Sequence, residues 1–133
     1  MAMQVELVSP ERVLLTAEAA SVRARTLGGG DIAFLPGHAP FLGALDTATL
    51  TIRPADGSAD IVAAVHGGFI SVNENNVRIL SDLAELATTI DESRARRAQE
   101  AAEEAVRRGD DTEAEAALRR AHARLAAVGG VSV

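Results

Sequence analysis

The sequence predicts an antiparallel β-sandwich or barrel, followed by an antiparallel pair of α-helices. Two observations lead to this fold class. Up to about Thr88, short stretches alternate apolar and polar residues and are separated by turn residues, which is typical of half-buried strands. Beyond Thr88 the apolar residues recur every three or four positions, which is typical of helices. A length of 133 residues suits one domain with an appendage, and we divide the chain into residues 1–88 and 89–133.

The composition limits the kinds of protein that this chain can be. Hydrophobic residues make up 47% of it and aromatic residues only 2%, so we expect an aliphatic core. The formal net charge of −6 argues against a nucleic-acid binder. No apolar run approaches the roughly 18 residues that a membrane span needs. There is no cysteine and no lysine, which excludes thiol chemistry, a P-loop lysine and a Schiff-base lysine.

The strand pattern occurs in the segments 4–7, 22–27, 49–53, 61–65, 69–72 and 77–80. Glycine, proline, asparagine and aspartate cluster between them, as expected for turns. Many short strands at such a spacing predict an antiparallel sandwich or barrel. No helical segment separates the strands, so we do not expect a parallel sheet.

The helical part begins at residues 88–92, where Thr88, Thr89 and Asp91 can cap a helix. Residues 94–108 contain no glycine or proline and are rich in alanine, glutamate and arginine, all good helix formers. Gly109 ends this first helix. Asp110 and Asp111 can cap a second one, which runs to about Val128. A link this short predicts an antiparallel hairpin.

Alanine dominates the apolar face that we predict for this hairpin. The predicted stripe consists of Ala95, Ala98, Ala101, Ala102, Ala105, Val106, Ala114, Ala117, Leu118, Ala121, Leu125 and Val128. Because alanine has little side-chain surface to bury, we expect the hairpin to form readily but to dock weakly. Two interpretations stay open: a solvated appendage, or a hairpin that moves between partners.

Catalytic and metal sites are not expected. His38, His66 and His122 lie in two loops and in the second helix, without metal-ligand spacing to another histidine or a carboxylate. No serine lies in a G-x-S-x-G turn. The segment His66-Gly67-Gly68 predicts a turn with a close backbone approach. We therefore predict a protein that is not an enzyme and holds no metal.

Four segments of the chain, in order and at matching spacing, carry a family resemblance. They are VSPER at 8–12, DIAFLPGHAP at 31–40, GGFI at 67–70 and NNVRILSD at 75–82, with an Asp-x-x-Arg-Ala helix start behind them. On these residues nearly the whole chain resembles the epsilon subunits of the bacterial F-type ATP synthase, the equivalents of the mitochondrial delta subunit. The resemblance implies a flattened sandwich of about ten strands followed by a two-helix hairpin.

The resemblance also implies a function, that of a non-catalytic subunit of the central stalk. Residues 1–88 would bind the gamma subunit and rest on the c-ring, coupling proton-driven rotation to ATP synthesis. Residues 89–133 would be regulatory, and would inhibit ATP hydrolysis when extended into the alpha/beta catalytic head. The subunit would be peripheral on the cytoplasmic side of the cell membrane and would require no cofactor.

Two sets of contact residues follow from the resemblance. Pro36 and Pro40 make the loop between Phe34 and Phe41 rigid, which lowers the entropy lost on docking. We assign c-ring contact to Asp31 and His38, and place Phe34 and Leu35 in the core. The acid-free stretch 116–128 would meet acidic segments of the catalytic head through Arg119, Arg120 and Arg124.

Some members of the family bind ATP without hydrolysing it, and their motif resembles residues 90–95 of this chain. The positions that match a regulatory ATP site are Glu85, Asp91, Arg94, Arg120 and Arg124. Ala101 departs from the pattern, because a basic residue occupies that position in the ATP-binding members. Two alternatives stay open: Asp91 caps a helix and Arg94 pairs locally with Glu85 or Asp91, or the chain is a free-standing ATP-sensing protein without catalysis.

Overall fold

A computed structural model describes residues 2–109 and 112–129, so the predicted caps Asp110 and Asp111 lie outside the described residues. Within them nine strands precede two helices. The strands are β1 (Met3–Val8), β2 (Val13–Thr26), β3 (Gly30–Phe34), β4 (Phe41–Ala44), β5 (Thr47–Pro54), β6 (Ile61–His66), β7 (Phe69–Asn73), β8 (Asn76–Leu80) and β9 (Ala84–Leu86). A short 3-10 helix (Ala87–Thr89) leads into α1 (Glu92–Arg108) and α2 (Thr112–Gly129).

The strands form one sheet that folds over on itself at the long strand β2. Their order is β4-β7-β8-β1-β2-β5-β6-β9, with β3 paired to β2 off this path. The first half of β2 pairs with β1, and its second half pairs with β3 and β5. Side chains from both halves of the sheet therefore meet in a single core.

The core is built from aliphatic side chains of alternate strand residues, with Phe34 fully buried among them. Its largest fully buried members are Phe34, Met3, Leu7, Leu50, Ile52, Ile70, Ile79, Val5, Val22, Val72 and Val77. Their spacing of two along each strand follows from the alternation of side chains between the two faces. The predicted sandwich with a C-terminal helical hairpin is confirmed.

One pairing differs from the predicted antiparallel arrangement. Strands β1 and β8 run parallel, with Val5 opposite Val77 and Leu7 opposite Ile79. Alternation in sequence is the same for a strand in either direction, so it could not distinguish the two cases. The first half of β2, together with β3, β4 and β9, also escaped the sequence pattern, because these stretches are short or only partly buried.

The hairpin lies on the outer face of β5 and β6 and contacts it through α2, while α1 packs on α2. At this interface the buried residues are Ala64, Ala123 and Ala127, with Val62, Ala87 and Ile90 packed around them. The predicted stripe omitted Ala123 and Ala127. The prediction gave α2 a single apolar face, whereas α2 has two, one against α1 and one against the sheet.

Among the described residues no helix combines the length and the apolar character that crossing a membrane requires.

Candidate functional site

A cleft of about 440 Å³ lies where the hairpin meets the end of the sheet. Four of its lining residues are charged: Glu85 from β9, Asp91 and Arg94 at the start of α1, and Arg124 from α2. Thr89, Ile90, Ala95 and Ala98 complete the lining. The volume falls within the range of small-molecule sites, roughly 300 to 1,000 Å³. The structure thus brings together four of the five residues predicted for ATP.

The fifth predicted residue, Arg120, does not line this cleft. It lies one turn before Arg124 on α2 and pairs with Glu113, with 2.7 Å between Nη2 and Oε1. Arg119 is exposed on α2. Ala101 is exposed on α1 and places no positive charge near the cleft. Of the three predicted inhibitory arginines, Arg120 and Arg124 are therefore held in ion pairs in this conformation.

Asp91 begins α1 as its N-cap, as one open alternative expected. Its Oδ1 accepts from the backbone N–H of Arg94 at 3.1 Å and from the hydroxyl of Ser93 at 3.0 Å. The backbone hydrogen bond is the larger cause of a lowered pKa for the Asp91 carboxyl. No ion pair joins the Arg94 guanidinium to Glu85 or Asp91 within the described residues. Arg94 thus remains available at the mouth of the cleft.

Glu85 links the sheet to the hairpin through a single oxygen. Its Oε1 accepts from Arg124 Nε at 2.6 Å and from His66 Nε2 at 2.9 Å. Burial alone would raise the pKa of Glu85, but the hydrogen bonds from Arg124 and His66 outweigh it and lower the pKa. The cleft therefore holds two carboxylates against two guanidinium groups, so its formal charges balance.

The sequence predicts only a turn at His66. The structure confirms the turn and the close approach: a Cβ on Gly68 would lie 2.1 Å from the Leu80 carbonyl oxygen. It also shows what the motif did not signal, that the His66 side chain is 3% exposed and contacts Glu85. The alternation of β6 could have indicated it, because His66 shares a face with Val62 and Ala64 beneath α2.

A second surface lies on the outer face of the sheet, away from the hairpin. Register places Ala44, Phe69, Leu80 and Val8 side by side across four strands. Leu42 lies on the same face of β4. We call these five residues the apolar row. Leu42 is 74% exposed, Phe69 55% and Leu80 44%. The other end of the same face is polar and carries the ion pair between Arg78 and Glu6 at 2.9 Å.

The two residues predicted for c-ring contact lie at opposite ends of β3. Asp31 is near the start of the strand, where it pairs with Arg25 at 2.9 Å. His38 lies in the loop after the strand, its ring edge-on to Phe34 at 4.9 Å and its Nδ1 2.7 Å from the Ala39 carbonyl oxygen. A strand rises about 3.3 Å per residue, so β3 separates the two positions along the sandwich.

The loop after β3 is held by hydrogen bonds, and one of its residues, Leu35, is exposed where we predicted burial. Phe34 is fully buried as expected, and Phe41 packs against the same core. Leu35 was predicted as core and is instead 57% exposed. The reason is that β3 ends at Phe34 and the chain turns at once, with the His38 N–H donating to the Leu35 carbonyl. Gly37 donates to Asn75 Oδ1 at 2.7 Å, which ties the loop to the β7–β8 turn.

No cluster of three or more histidine, cysteine, aspartate or glutamate side chains that could hold a metal ion occurs among residues 2–109 and 112–129.

Two family models together match almost the whole described chain. Residues 2–87 match the beta-sandwich domain of the ATP synthase delta/epsilon chain. Residues 88–129 match the long alpha-helix domain of the same chain.

Curated relatives carry the same family name and match this chain over nearly the full length of both proteins. The ATP synthase epsilon chain of Streptomyces avermitilis is 48% identical over 126 residues, covering 95% of this chain and 94% of its own. That of Moorella thermoacetica is 43% identical over 133 residues, covering 97% and 98%. The predictions of an epsilon-type, non-catalytic ATP synthase subunit are confirmed by these matches.

A solved structure supports the fold. A chain in the cryo-EM structure of the Euglena gracilis mitochondrial ATP synthase, containing OSCP, F1 and the c-ring, superimposes with a TM-score of 0.84. It is 23% identical, and the match covers 96% of this chain and 81% of that chain. At this identity the match shows a shared fold. Taken with the sequence matches over both of its parts, it leads to one assignment: this chain belongs to the ATP synthase delta/epsilon family.

Proposed function

We propose that this chain is the central-stalk subunit that couples proton-driven rotation to ATP synthesis. In this proposal the body, residues 1–88, binds the gamma subunit and rests on the c-ring. The hairpin, residues 89–133, regulates ATP hydrolysis. The observation that carries the proposal is the apolar row. It is an exposed hydrophobic stripe across the outer face of the sandwich, built on paired strands.

The apolar row has the character of a protein contact. Contiguous exposed apolar side chains on a soluble surface mark interaction sites more often than scattered ones do. Here they come from four hydrogen-bonded strands, so their positions are held by the sheet. Docking on a rigid surface loses little conformational entropy. A rotating shaft needs such a surface, because torque is transmitted only by parts that do not deform.

The test is co-purification with the gamma subunit. Phe69→Ser and Leu80→Ser together remove the centre of the apolar row, and both side chains are exposed enough for the sandwich to fold. We expect the double variant to lose gamma in a pull-down. Arg78→Gln, at the polar end of the same face, is the matched control and should retain gamma. Retention by the double variant would refute the assignment of this surface.

Contact with the c-ring is proposed for Asp31 and His38, and their separation allows each to be tested alone. Asp31→Arg should lower coupling between ATP hydrolysis and proton pumping in the assembled enzyme. Arg25→Gln breaks the same ion pair but keeps the carboxylate, and serves as its control. His38→Glu tests the loop. Wild-type coupling in both Asp31→Arg and His38→Glu would remove the c-ring assignment.

Inhibition of ATP hydrolysis is proposed for the hairpin in an extended state. The buried contact beneath α2 consists of alanine side chains, so the free-energy gap between docked and extended states is small. A change of about 1.4 kcal/mol in such a gap alters the population ratio tenfold. Arg119, Arg120 and Arg124 would then contact acidic segments of the alpha/beta catalytic head.

Removal of residues 89–133 tests this regulatory role in the assembled enzyme. We expect ATP hydrolysis to rise, with the coupling of hydrolysis to proton pumping retained by the body. Replacing the three arginines by glutamine should give part of the same rise. Unchanged hydrolysis after the truncation would exclude an inhibitory hairpin.

Weak ATP binding is proposed for the cleft beside Glu85. Arg94 and Arg124 can contact phosphates, and Glu85 or Asp91 can accept from the adenine amine or the ribose hydroxyls. The balanced charges and the lack of a cation at Ala101 both argue for low affinity. Calorimetry at millimolar ATP should detect binding, and Ala101→Arg should tighten it. Ala101→Leu adds size without charge and should not. If wild type, Ala101→Arg and Ala101→Leu all show no heat of ATP binding, the proposed site is refuted.

The same cleft supports one alternative, a free-standing ATP-sensing protein on which the gamma subunit has no effect. A measurement of ATP affinity with and without the gamma subunit distinguishes the stalk subunit from the free-standing sensor. Equal affinity together with failure to bind gamma would favour the alternative. Under the stalk proposal the subunit is peripheral, on the cytoplasmic side of the cell membrane.

A further inference from the structure

His66 lies at the end of β6, beneath the face of the sheet that α2 covers. Its side chain is 3% exposed, and its Nε2 lies 2.9 Å from Glu85 Oε1. A carboxylate oxygen accepts and cannot donate, so Nε2 carries a hydrogen. The other ring nitrogen, Nδ1, is buried and has no hydrogen-bond partner among the described residues. In the docked conformation the imidazole is therefore suited to the neutral form, with a bare Nδ1.

The surrounding charges make a second positive charge unfavourable at this point. Arg124 already donates to the same Glu85 oxygen at 2.6 Å. Arg120, also on α2, adds a further positive charge that acts on His66. Asp82 borders a groove that His66 also lines, and Glu85 is the acidic group in direct contact. Burial, the largest effect, lowers the pKa of His66, the hydrogen bond to Glu85 opposes it, and Arg124 adds to the lowering.

Undocking of α2 reverses each of these conditions. Arg120 and Arg124 leave with the helix, since both belong to α2. Water reaches Nδ1, so a protonated ring can donate from both nitrogens. Glu85 is then free to pair with the imidazolium alone. The charged ring thus fits the undocked state, and the neutral ring fits the docked state.

We propose that His66 is a proton-sensitive latch, whose protonation releases the helical hairpin from the sandwich. The inference rests on the proposed movement of the hairpin and adds its regulation by pH. Among the described residues the contact of Arg124 with Glu85 is the ion pair that joins hairpin to sheet. Protonation of His66 affects that contact directly, because His66 Nε2 and Arg124 Nε donate to the same oxygen, Glu85 Oε1.

The direction of the pH dependence follows from linkage. A base whose pKa is lowered in the docked state favours docking while it is neutral. Its contribution is complete above the ordinary histidine value, about 6.5, and decreases as pH falls below that value. One proton of linkage lowers the docking constant by up to tenfold per pH unit, until the docked pKa is reached. Glu85, with its lowered pKa, stays ionised across this range.

Fluorescence transfer within the full chain can measure docking directly. The chain has no cysteine, so a labelled pair at Ala55→Cys and Glu115→Cys, both exposed positions, reports the distance between sheet and α2. We expect the docked fraction to fall between pH 7.5 and 5.5. His66→Gln keeps a neutral donor and should remove this dependence. His122→Gln, at an exposed histidine of α2, is the matched control and should behave as the wild type.

Arg124→Gln separates failure of the latch from failure of the proposed movement. If it releases the hairpin at pH 7.5 while wild type shows no pH dependence, the latch is refuted and the movement stands. If the hairpin stays docked in Arg124→Gln and at every pH, both are refuted. A wild-type slope that persists in His66→Gln also overturns the latch.

A measurement on unlabelled protein keeps the proposal testable should His66→Gln fold poorly. Nuclear magnetic resonance titration of the histidines should give His66 a pKa below the ordinary value, and a higher one in Arg124→Gln. A His66 pKa that is unchanged by Arg124→Gln would show that the two groups are not linked.

Discussion

The interior of the sandwich and the contact beneath the hairpin bury side chains of different size. The sandwich encloses one phenylalanine and many leucine, isoleucine and valine side chains from both layers. The contact beneath α2 encloses Ala64, Ala123 and Ala127. At roughly 25 cal/mol per Å² of apolar surface, an alanine contributes a small part of what a leucine does. The comparison therefore predicts a body that resists deformation and a hairpin that is held more loosely.

The two regions also differ in their polar contacts. The core of the body is apolar, whereas the hairpin contact includes Arg124, Glu85 and His66, joined through one carboxylate oxygen. Apolar contacts respond little to pH or ligands. A shared carboxylate responds to both, because a proton or a phosphate changes the charge around it. The proposed function accordingly assigns regulation to the hairpin and torque transmission to the body.

The largest expected effect comes from emptying the core of the body. Phe34→Ala removes a fully buried ring that contacts both His38 and Phe41. We expect a loss of about 3–5 kcal/mol in the free energy of unfolding, measured by urea denaturation. Leu42→Ala, at an exposed position of β4, should stay within about 0.5 kcal/mol of wild type. Similar losses for both would contradict the distinction between core and surface.

The next effect concerns the close approach of backbones in the body. Gly68→Ala would place a Cβ 2.1 Å from the Leu80 carbonyl oxygen, at a φ of +115°. We expect it to cost more than about 2 kcal/mol in urea denaturation. Gly67→Ala, at a φ of +81° with its nearest atom at 3.9 Å, should cost about 1–2 kcal/mol. Equal costs would mean that the approach itself contributes nothing.

A smaller effect, confined to the hairpin, follows from overfilling its contact with the sheet. Ala123→Leu adds three carbons where Ala64 leaves no space, and should weaken docking by about 1–3 kcal/mol. Hydrogen exchange should then show faster exchange in α2 with unchanged protection in β7 and β8. Ala101→Leu, at an exposed position on α1, should change neither. Loss of protection throughout the body would contradict the independence of the two regions.

The smallest effect is expected at the start of α1. Asp91→Ala removes the side chain that accepts from the Arg94 N–H, so the first turn should exchange faster and helicity should fall slightly. Asp91→Asn keeps an acceptor and should behave nearly as wild type. Because the pKa of Asp91 is lowered, the difference between Asp91→Ala and wild type should shrink as pH falls through that pKa, since a protonated carboxyl accepts more weakly than a carboxylate. Equal exchange rates in Asp91→Ala and wild type at neutral pH would contradict a capping role.

Much of the body was predictable because its signals are local. Alternation located the strands that line the core, such as β5 and β8, and turn residues located their ends. The cleft was partly predictable: Glu85, Asp91, Arg94 and Arg124 do meet there. Arg120, one turn before Arg124 on α2, does not, because its guanidinium pairs with Glu113, and helical spacing alone does not decide which carboxylate it meets.

What the sequence determined by itself is the change from strand to helix periodicity along the chain, and its family. Each of these depends on residues close together along the chain, or on short motifs that occur in a fixed order and spacing. Tertiary structure alone decided the parallel pairing of β1 with β8, the second alanine face of α2 and the meeting of His66 and Arg124 at one oxygen of Glu85. These features depend on which distant segments of the chain pack against each other. The free energy that selects one packing arrangement over another is distributed over contacts between segments that are far apart in sequence.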